Sequence, residues 1–154
     1  MKAVVQRVRN ASVKVENAVT GSIGQGLLVY LGVARDDSEK EAEWMAEKIA
    51  NLRIFEDPQG KMNLSLLDIT RMDKNSGASI GVLAVSQFTL LADASKGRRP
   101  YYGEAAGAEK AKALYECFMA KIRDRGLICE AGVFQAHMDV SYINDGPVTI
   151  ILDT

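Results

Sequence analysis

The chain has 154 residues, 47% of them hydrophobic and 25% charged, with a formal net charge of −1. That length suits one domain, residues 1–154, with a real hydrophobic core. The charge balance excludes a global basic field of the kind that advertises a nucleic-acid partner, leaving room only for a local patch. The two cysteines, Cys117 and Cys129, and the one histidine make neither a zinc pattern nor a redox pair, so free thiols in a reducing compartment are expected. The opening MKAVVQRVRNASV is broken by charges and lacks the apolar centre of a signal peptide, and no apolar run is long enough to span a bilayer. A cytoplasmic protein is expected.

In chain order, Lys2–Val8 and Ser12–Glu16 carry β-branched residues in partial alternation around Arg9-Asn10-Ala11, which predicts a strand pair. Gly21–Gly26 is a turn-rich connection, and the apolar run Leu27–Val33 after it suits a strand covered on both faces. Ser38 and Glu41 form a capping box at a helix start, with Trp44, Met45, Ile49 and Leu52 following at helical spacing. Trp44 reads as a core anchor. Arg53–Phe55 reads as a short strand running into an Asp57–Gly60 turn; Asn63–Ile69 is ambiguous, and Asp73–Gly77 is a polar loop. Ser79–Leu90 reads as a long central strand. A second helix is predicted from about Gly107 to Arg125, with Ala111, Leu114, Tyr115, Phe118 and Ile122 as its buried stripe and Gly126 ending it. Leu127–Val133, Met138–Asn144 and Val148–Asp153 close the chain as strands. This order predicts an α/β fold, a compact mixed β-sheet with two main helices packed outside.

Familiar chemistries are missing: there is no P-loop and no dinucleotide-binding glycine pattern. A Ser-His-Asp arrangement could draw only on His137, which reads as a solvent-facing or hydrogen-bonded structural residue. The sequence groups no metal ligands, and no cofactor is expected. What remains is a set of features unusual for their positions. Ser86-Gln87-Phe88-Thr89 sets polar side chains into an apolar run. Either neighbouring backbone satisfies them, or a strand end carries hydroxyls and N–H donors into a pocket. Lys96-Gly97-Arg98-Arg99-Pro100-Tyr101-Tyr102 is either a solvated loop or one suited to a phosphate backbone and a terminal base. Gly146-Pro147, inside Asn144-Asp145-Gly146-Pro147, reads first as a plain hairpin turn. The alternative is a backbone corner that a ligand approaches closely, since glycine has no Cβ.

Four stretches, MKAVVQRVRNASVKVE at the start, SQFTLLAD at 86–93, KGRRPYY at 96–102 and NDGPVTIILD at 144–153, together resemble the D-aminoacyl-tRNA deacylases, essentially end to end. The resemblance implies a barrel-like β core with helices outside, and a cytosolic homodimer with active sites at the subunit interface and no metal or organic cofactor. It implies hydrolysis of the ester joining a D-amino acid, or glycine, to tRNA. It places the catalytic half-site on Ser86, Gln87, Phe88 and Thr89, and puts Phe134 and Met138 on the substrate-binding wall. It also implies that Gly146 and Pro147 share a cis peptide and reach into the partner's site, their carbonyls toward the substrate ammonium. An L side chain would then meet the wall while a D side chain points outward, which is specificity by exclusion and leaves glycine unrejected.

Lys96, Arg98 and Arg99 are expected to contact tRNA phosphates. Thr89 is the family's candidate nucleophile, yet nothing beside it in sequence resembles an activating base. The expected mechanism instead uses backbone N–H groups of Phe88, with Thr89 as a second, to hold the oxyanion. Water attacks with help from the ribose 2′-hydroxyl. Gln135 and His137 depart from the family's usual residues on the pocket wall, which bears on substrate preference. Paralogous deacylases carry a trans Gly-Pro and accept some L-alanine; the intact Ser-Gln-Phe-Thr favours the D-specific branch. The rival from another class is a non-catalytic tRNA- or DNA-binding dimer on the same scaffold, and near-neutral charge counts against it.

Overall fold

The computed structural model describes residues 1–73 and 79–154. Its first strand, β1 (Lys2–Val15), is continuous where two strands were expected. Arg9-Asn10-Ala11 does not break it. Instead the inward phase changes there: Ala3 and Val5 enter one core, while Val8, Ala11 and Val13 enter a second. The cause is an irregular register against the last strand between Gln6 and Asn10, which lets β1 bend and continue. The chain reverses at Glu16 and Asn17, both at positive φ (48° and 69°), and β2 (Ala18–Ile23) pairs antiparallel with β1. Most of the expected Gly21–Gly26 connection therefore belongs to β2 and to β3 (Gly26–Gly32).

Helix α1 (Glu39–Ala50) begins at the predicted capping box of Ser38 and Glu41. Its buried face is Ala42, Met45, Ala46, Ile49 and Ala50, mostly small residues. Trp44 lies off that face, 43% exposed with the Lys48 ammonium 5.7 Å from its ring centre, so it is not the core anchor expected. Strands β4 (Phe55–Glu56) and β5 (Met62–Leu64) form a separate hairpin. The strand expected over Arg53–Phe55 thus begins only at Phe55. The ambiguous Asn63–Ile69 stretch divides between β5 and α2 (Leu66–Met72), which a second capping box, Ser65 with Asp68, opens. Of the loop expected over Asp73–Gly77, only Asp73 lies within the described residues.

Strand β6 (Gly81–Ser86) is shorter than the Ser79–Leu90 strand expected, because the chain turns into a 3-10 helix over Phe88–Leu91. Helix α3 (Ala108–Asp124) matches expectation, with Gly126 at φ +77° just beyond it. Its buried Leu114, Tyr115, Phe118, Met119 and Ile122 pack toward the sheet, each large apolar side chain worth about 1.5–3 kcal/mol. Then come β7 (Ile128–Ala131) and β8 (Asp139–Asp153), a single 15-residue strand where two were expected.

The main sheet runs β2-β1-β3-β6-β7, with β8 paired to β1. The β3–β6 and β6–β7 pairs are parallel and the remainder antiparallel. Side chains of β3 and β6 alternate between the two cores: Leu27, Val29, Leu31, Val82 and Ala84 face one, Leu28, Leu83 and Val85 the other. Both faces of these central strands are buried, as the apolar run predicted. Because β2 comes back against β7, the mixed sheet is nearly closed and barrel-like, with α1 and α3 packed together outside it. The Met1 ammonium is buried and lies 2.7 Å from Asp37 Oδ1, with the Thr154 hydroxyl also accepting from it, so the outer ends of β1 and β8 are fastened together. No helix among the described residues is long and apolar enough to cross a membrane.

Candidate active site

The parallel pairing of β3 with β6 ends at Ser86, and the Gln87 N–H still donates to the Leu31 carbonyl at 2.9 Å. The next residues cannot continue the ladder, since β3 ends at Gly32. The chain winds instead into the 3-10 helix, which buries Leu91 against Gly32. Gly32 is required there: a Cβ would sit 2.4 Å from Leu91 Cδ2 and 3.0 Å from the Gln87 carbonyl oxygen. A helical turn leaves its first N–H groups without internal acceptors. Among the described residues, neither the Phe88 nor the Thr89 N–H finds a backbone acceptor. Ser86 and Gln87 are half-buried, while Phe88 and Thr89 are exposed. The Gln87 side-chain amide donates to Thr89 Oγ1, so among the described residues that hydroxyl is engaged by an amide and by no base.

The opposing wall is the segment between β7 and β8. Phe134 is rooted in the core by Tyr115, with ring centres 6.1 Å apart, and the Tyr115 hydroxyl donates to the Ala84 carbonyl at 2.8 Å. Burial pushes the Tyr115 phenol well above its ordinary range, so it stays a neutral donor. Gln135 stands at φ +64°, and an Ala136 N–H to Val133 carbonyl bond of 3.2 Å closes the turn. Between this wall and the strand end is a cleft of about 420 Å³. Ser86, Gln87 and Phe88 line one side of it, and Phe134, His137 and Met138 the other. Residues far apart in the chain, singled out separately from sequence, thus share one cavity. His137 is exposed on that wall, and Thr89 stands just outside, tied to Gln87.

Gly146 and Pro147 do not line this cleft. Their peptide is cis, Gly146 has φ +120°, and both residues are exposed. They do not form a hairpin turn: the corner interrupts β8. The β1–β8 register passes from Gln6↔Thr149 to Val8↔Asn144, so Arg7 alone opposes the stretch from Asp145 to Val148. Arg7 is 5% exposed and lies behind the corner. Its Nε is 3.1 Å from Asp145 Oδ2 and 3.3 Å from the Asp145 carbonyl oxygen, and its Nη1 donates to the Ile54 carbonyl at 2.5 Å. A Cβ on Gly146 would lie 3.1 Å from Arg7 Nη2 and 3.0 Å from the Val148 nitrogen. Asn144 spans the corner, its Nδ2 donating to the carbonyls of Arg7 and Val148, each at 3.0 Å. Sequence reading missed Arg7 and Asn144. The available signal was phase, because Arg7 continues the inward series of Ala3 and Val5 and so points a cation inside.

Lys96, Arg98 and Arg99 are exposed on a loop closed by paired 2.8 Å bonds between Asp93 and Tyr101. Among the described residues, no carboxylate lies within ion-pair distance of these cations. The Ser95 hydroxyl first, and then the Ser95 N–H at 2.8 Å, donate to the Asp93 carboxylate and hold its pKa below the usual value.

Fold and cleft together define a mixed, barrel-like α/β protein with a pocket where parallel strands end and an exposed backbone corner that does not line it. The chain belongs to the D-Tyr-tRNA(Tyr) deacylase family, whose description matches residues 4–153. Over all of its length it is 59% identical to "D-aminoacyl-tRNA deacylase" of Koribacter versatilis (strain Ellin345), covering 97% of that protein. It is 53% identical to the protein of the same name from Thermotoga petrophila, again over the whole chain and 97% of the relative. Among solved structures, "c-Myc DNA Unwinding Element Binding Protein" superposes with a TM-score of 0.88 at 41% identity, covering 100% of this chain and 99% of that one. A "probable eukaryotic D-amino acid tRNA deacylase" superposes with a TM-score of 0.81 at 18% identity, over 99% and 98%, which bears on the fold alone.

Proposed function

We propose that this protein is a cytoplasmic D-aminoacyl-tRNA deacylase that hydrolyses the ester between a D-amino acid, or glycine, and the tRNA 3′ ribose. The observation that carries this reading is the pair of N–H groups, Phe88 and Thr89, without a backbone acceptor among the described residues, beside a cleft large enough for an aminoacyl nucleoside. Donors fixed by the fold stabilise negative charge on the scissile carbonyl oxygen as water adds, at no reorganisation cost. The ribose 2′-hydroxyl beside the ester assists that water. The ester oxygen leaves with a proton, giving free amino acid and tRNA. Ser86 and Gln87 shape the strand end, and Phe134 and Met138 hold the aminoacyl nucleoside against it.

Chiral choice in this reading belongs to Gly146 and Pro147 of a second copy. Support comes from their exposure, their absence from their own chain's cleft lining and the backing of Arg7, whose Nη1 donates to the Ile54 carbonyl. A homodimer is further supported by β8, whose exposed Tyr142, Ile143 and Ile151 would be covered in one. Carbonyl oxygens at the corner take the substrate ammonium and leave no volume for an L side chain. The Lys96, Arg98 and Arg99 loop takes phosphates near the 3′ end.

Deacylation of D-Tyr-tRNA and L-Tyr-tRNA measured in parallel tests the proposal. Fast release from the D ester, and background release from the L ester, is the expected result; equal background rates for both would overturn it. A DNA-binding reading is favoured by the name of the 41%-identical structural relative. It predicts tight, salt-dependent DNA binding without deacylation, so the same assay separates the two.

A further inference from the structure

One aromatic feature is absorbed by neither the core nor the cleft chemistry. Phe88 is 56% exposed and Tyr102 37% exposed, and their rings meet edge to face with centres 5.1 Å apart. Phe88 lines the cleft, whereas Tyr102 does not, so the pair straddles the rim. Tyr101, 66% exposed, follows directly from the closed loop that carries Lys96, Arg98 and Arg99. Exposed aromatic surface of this extent is costly to leave in water. Trp44 shows the contrast, since Lys48 already lies over that ring. Among the described residues no cation lies over the rim aromatics, and no carboxylate lies within ion-pair distance of the cations on the adjacent loop, in a protein whose net charge is −1.

Flat aromatic faces beside uncompensated cations are the combination that holds single-stranded nucleic acid: bases stack while the backbone follows the charge. We propose that Phe88 and Tyr102 form a stacking platform for the nucleobase of the nucleotide preceding the terminal one, with Lys96, Arg98 and Arg99 taking the adjoining phosphates. This inference rests on the deacylase reading for the direction of the strand. The terminal aminoacyl nucleoside occupies the cleft, and the next base passes over the Phe88 edge onto Tyr102. Stacking tolerates any base, so the platform contributes length of contact and no choice among tRNAs.

The test compares D-tyrosyl-adenosine, which ends at the cleft, with D-Tyr-tRNA, which continues onto the platform. In the Tyr102→Ala variant kcat/KM for D-Tyr-tRNA falls about 5–100-fold, mostly through KM, while D-tyrosyl-adenosine is turned over as by wild type. Tyr102→Phe restores the tRNA value. Equal losses on both substrates would reduce Tyr102 to a packing residue, and no loss on either would remove it from binding; each overturns the platform. An uncharged CCA trinucleotide with 2-aminopurine at its middle position gives a readout independent of hydrolysis. Its fluorescence is quenched by wild type and by Tyr102→Phe, and at least about fivefold more Tyr102→Ala is needed for the same quenching. Identical titrations of wild type and Tyr102→Ala overturn the proposal. A wild-type protein that quenches the probe yet deacylates neither D ester would sink the deacylase reading while sustaining the platform.

Discussion

The turn at Ser86–Thr89 and the corner at Gly146–Pro147 are both places where a strand is interrupted, and they are held in opposite ways. The turn is set by main chain and shape: a last ladder bond from Gln87 to Leu31, then Leu91 seated on Gly32. The corner is set by charge: a buried guanidinium anchored on Ile54 and Asp145, with Asn144 bridging its two sides. A site made of backbone donors is tuned by what packs behind it. A corner that, on the proposed reading, keeps one outline against another molecule is tuned by what lies fixed beneath it. Substitutions should therefore act through different physics in the two regions.

The largest effect is expected at Arg7. Arg7→Ala leaves a cavity and removes the ion pair with Asp145, whose partners are 6% and 24% exposed, and loss of such a pair costs about 3–5 kcal/mol. Urea unfolding would show it as a lower midpoint at unchanged slope. In Arg7→Met the apolar volume returns but the corner is not held, so L-Tyr-tRNA discrimination should still weaken. Wild-type discrimination in Arg7→Met would break the contrast between the regions. Next in size is Gly32→Ala, which forces its methyl against Leu91 and the Gln87 carbonyl; such overpacking costs about 1–3 kcal/mol. Here deacylation of D-Tyr-tRNA should fall with chirality preserved, because the donors shift and the corner does not. Asn144→Ala forfeits both bridging bonds, a loss of about 1–2 kcal/mol in thermal or urea unfolding, with a small leak toward the L ester.

The same contrast explains what could be read from sequence. Local signals sufficed for α1, where Ser38 and Glu41 sit three apart, and for the end of α3 at Gly126. They also sufficed for β3, whose unbroken apolar run needs cover on both faces. The Ser65-Leu66-Leu67-Asp68 stretch carried a capping signature of the same kind and was legible in principle for α2. Ser79–Leu90 misled because Phe88-Thr89-Leu90-Leu91 has strand letters, while the turn there is imposed by where the neighbouring β3 stops. Trp44 misled because burial tendency outweighed phase: it lies beside the alanine-rich stripe that the helix actually buries. Gly146-Pro147 looked like a hairpin because turn residues between two apolar runs usually are one. What makes it a bulge is Arg7 at the far end of the chain, a partner that no local window contains.

The smallest expected effect is the most telling about chemistry. Thr89 is exposed, and its hydroxyl accepts from the Gln87 amide with no base in contact among the described residues. Removing that contact should change stability by no more than about 0.5 kcal/mol. If the backbone N–H groups carry the reaction, Thr89→Ala retains them and should deacylate D-Tyr-tRNA within about tenfold of wild type, since only an orienting contact is lost. Thr89→Val should be slower than Thr89→Ala, because its methyl faces the Gln87 amide and keeps water from it, whereas alanine leaves room for a water to take the lost acceptor's place. A nucleophilic Thr89 makes the opposite forecast: loss of about 10⁴-fold or more in single-turnover rate for Thr89→Ala, with an unchanged unfolding midpoint, and an acyl-threonine trapped on rapid acid quench of wild type. The ordering of these two variants decides the matter without reference to absolute rates, because only a shaped pocket makes the isosteric valine worse than the truncation.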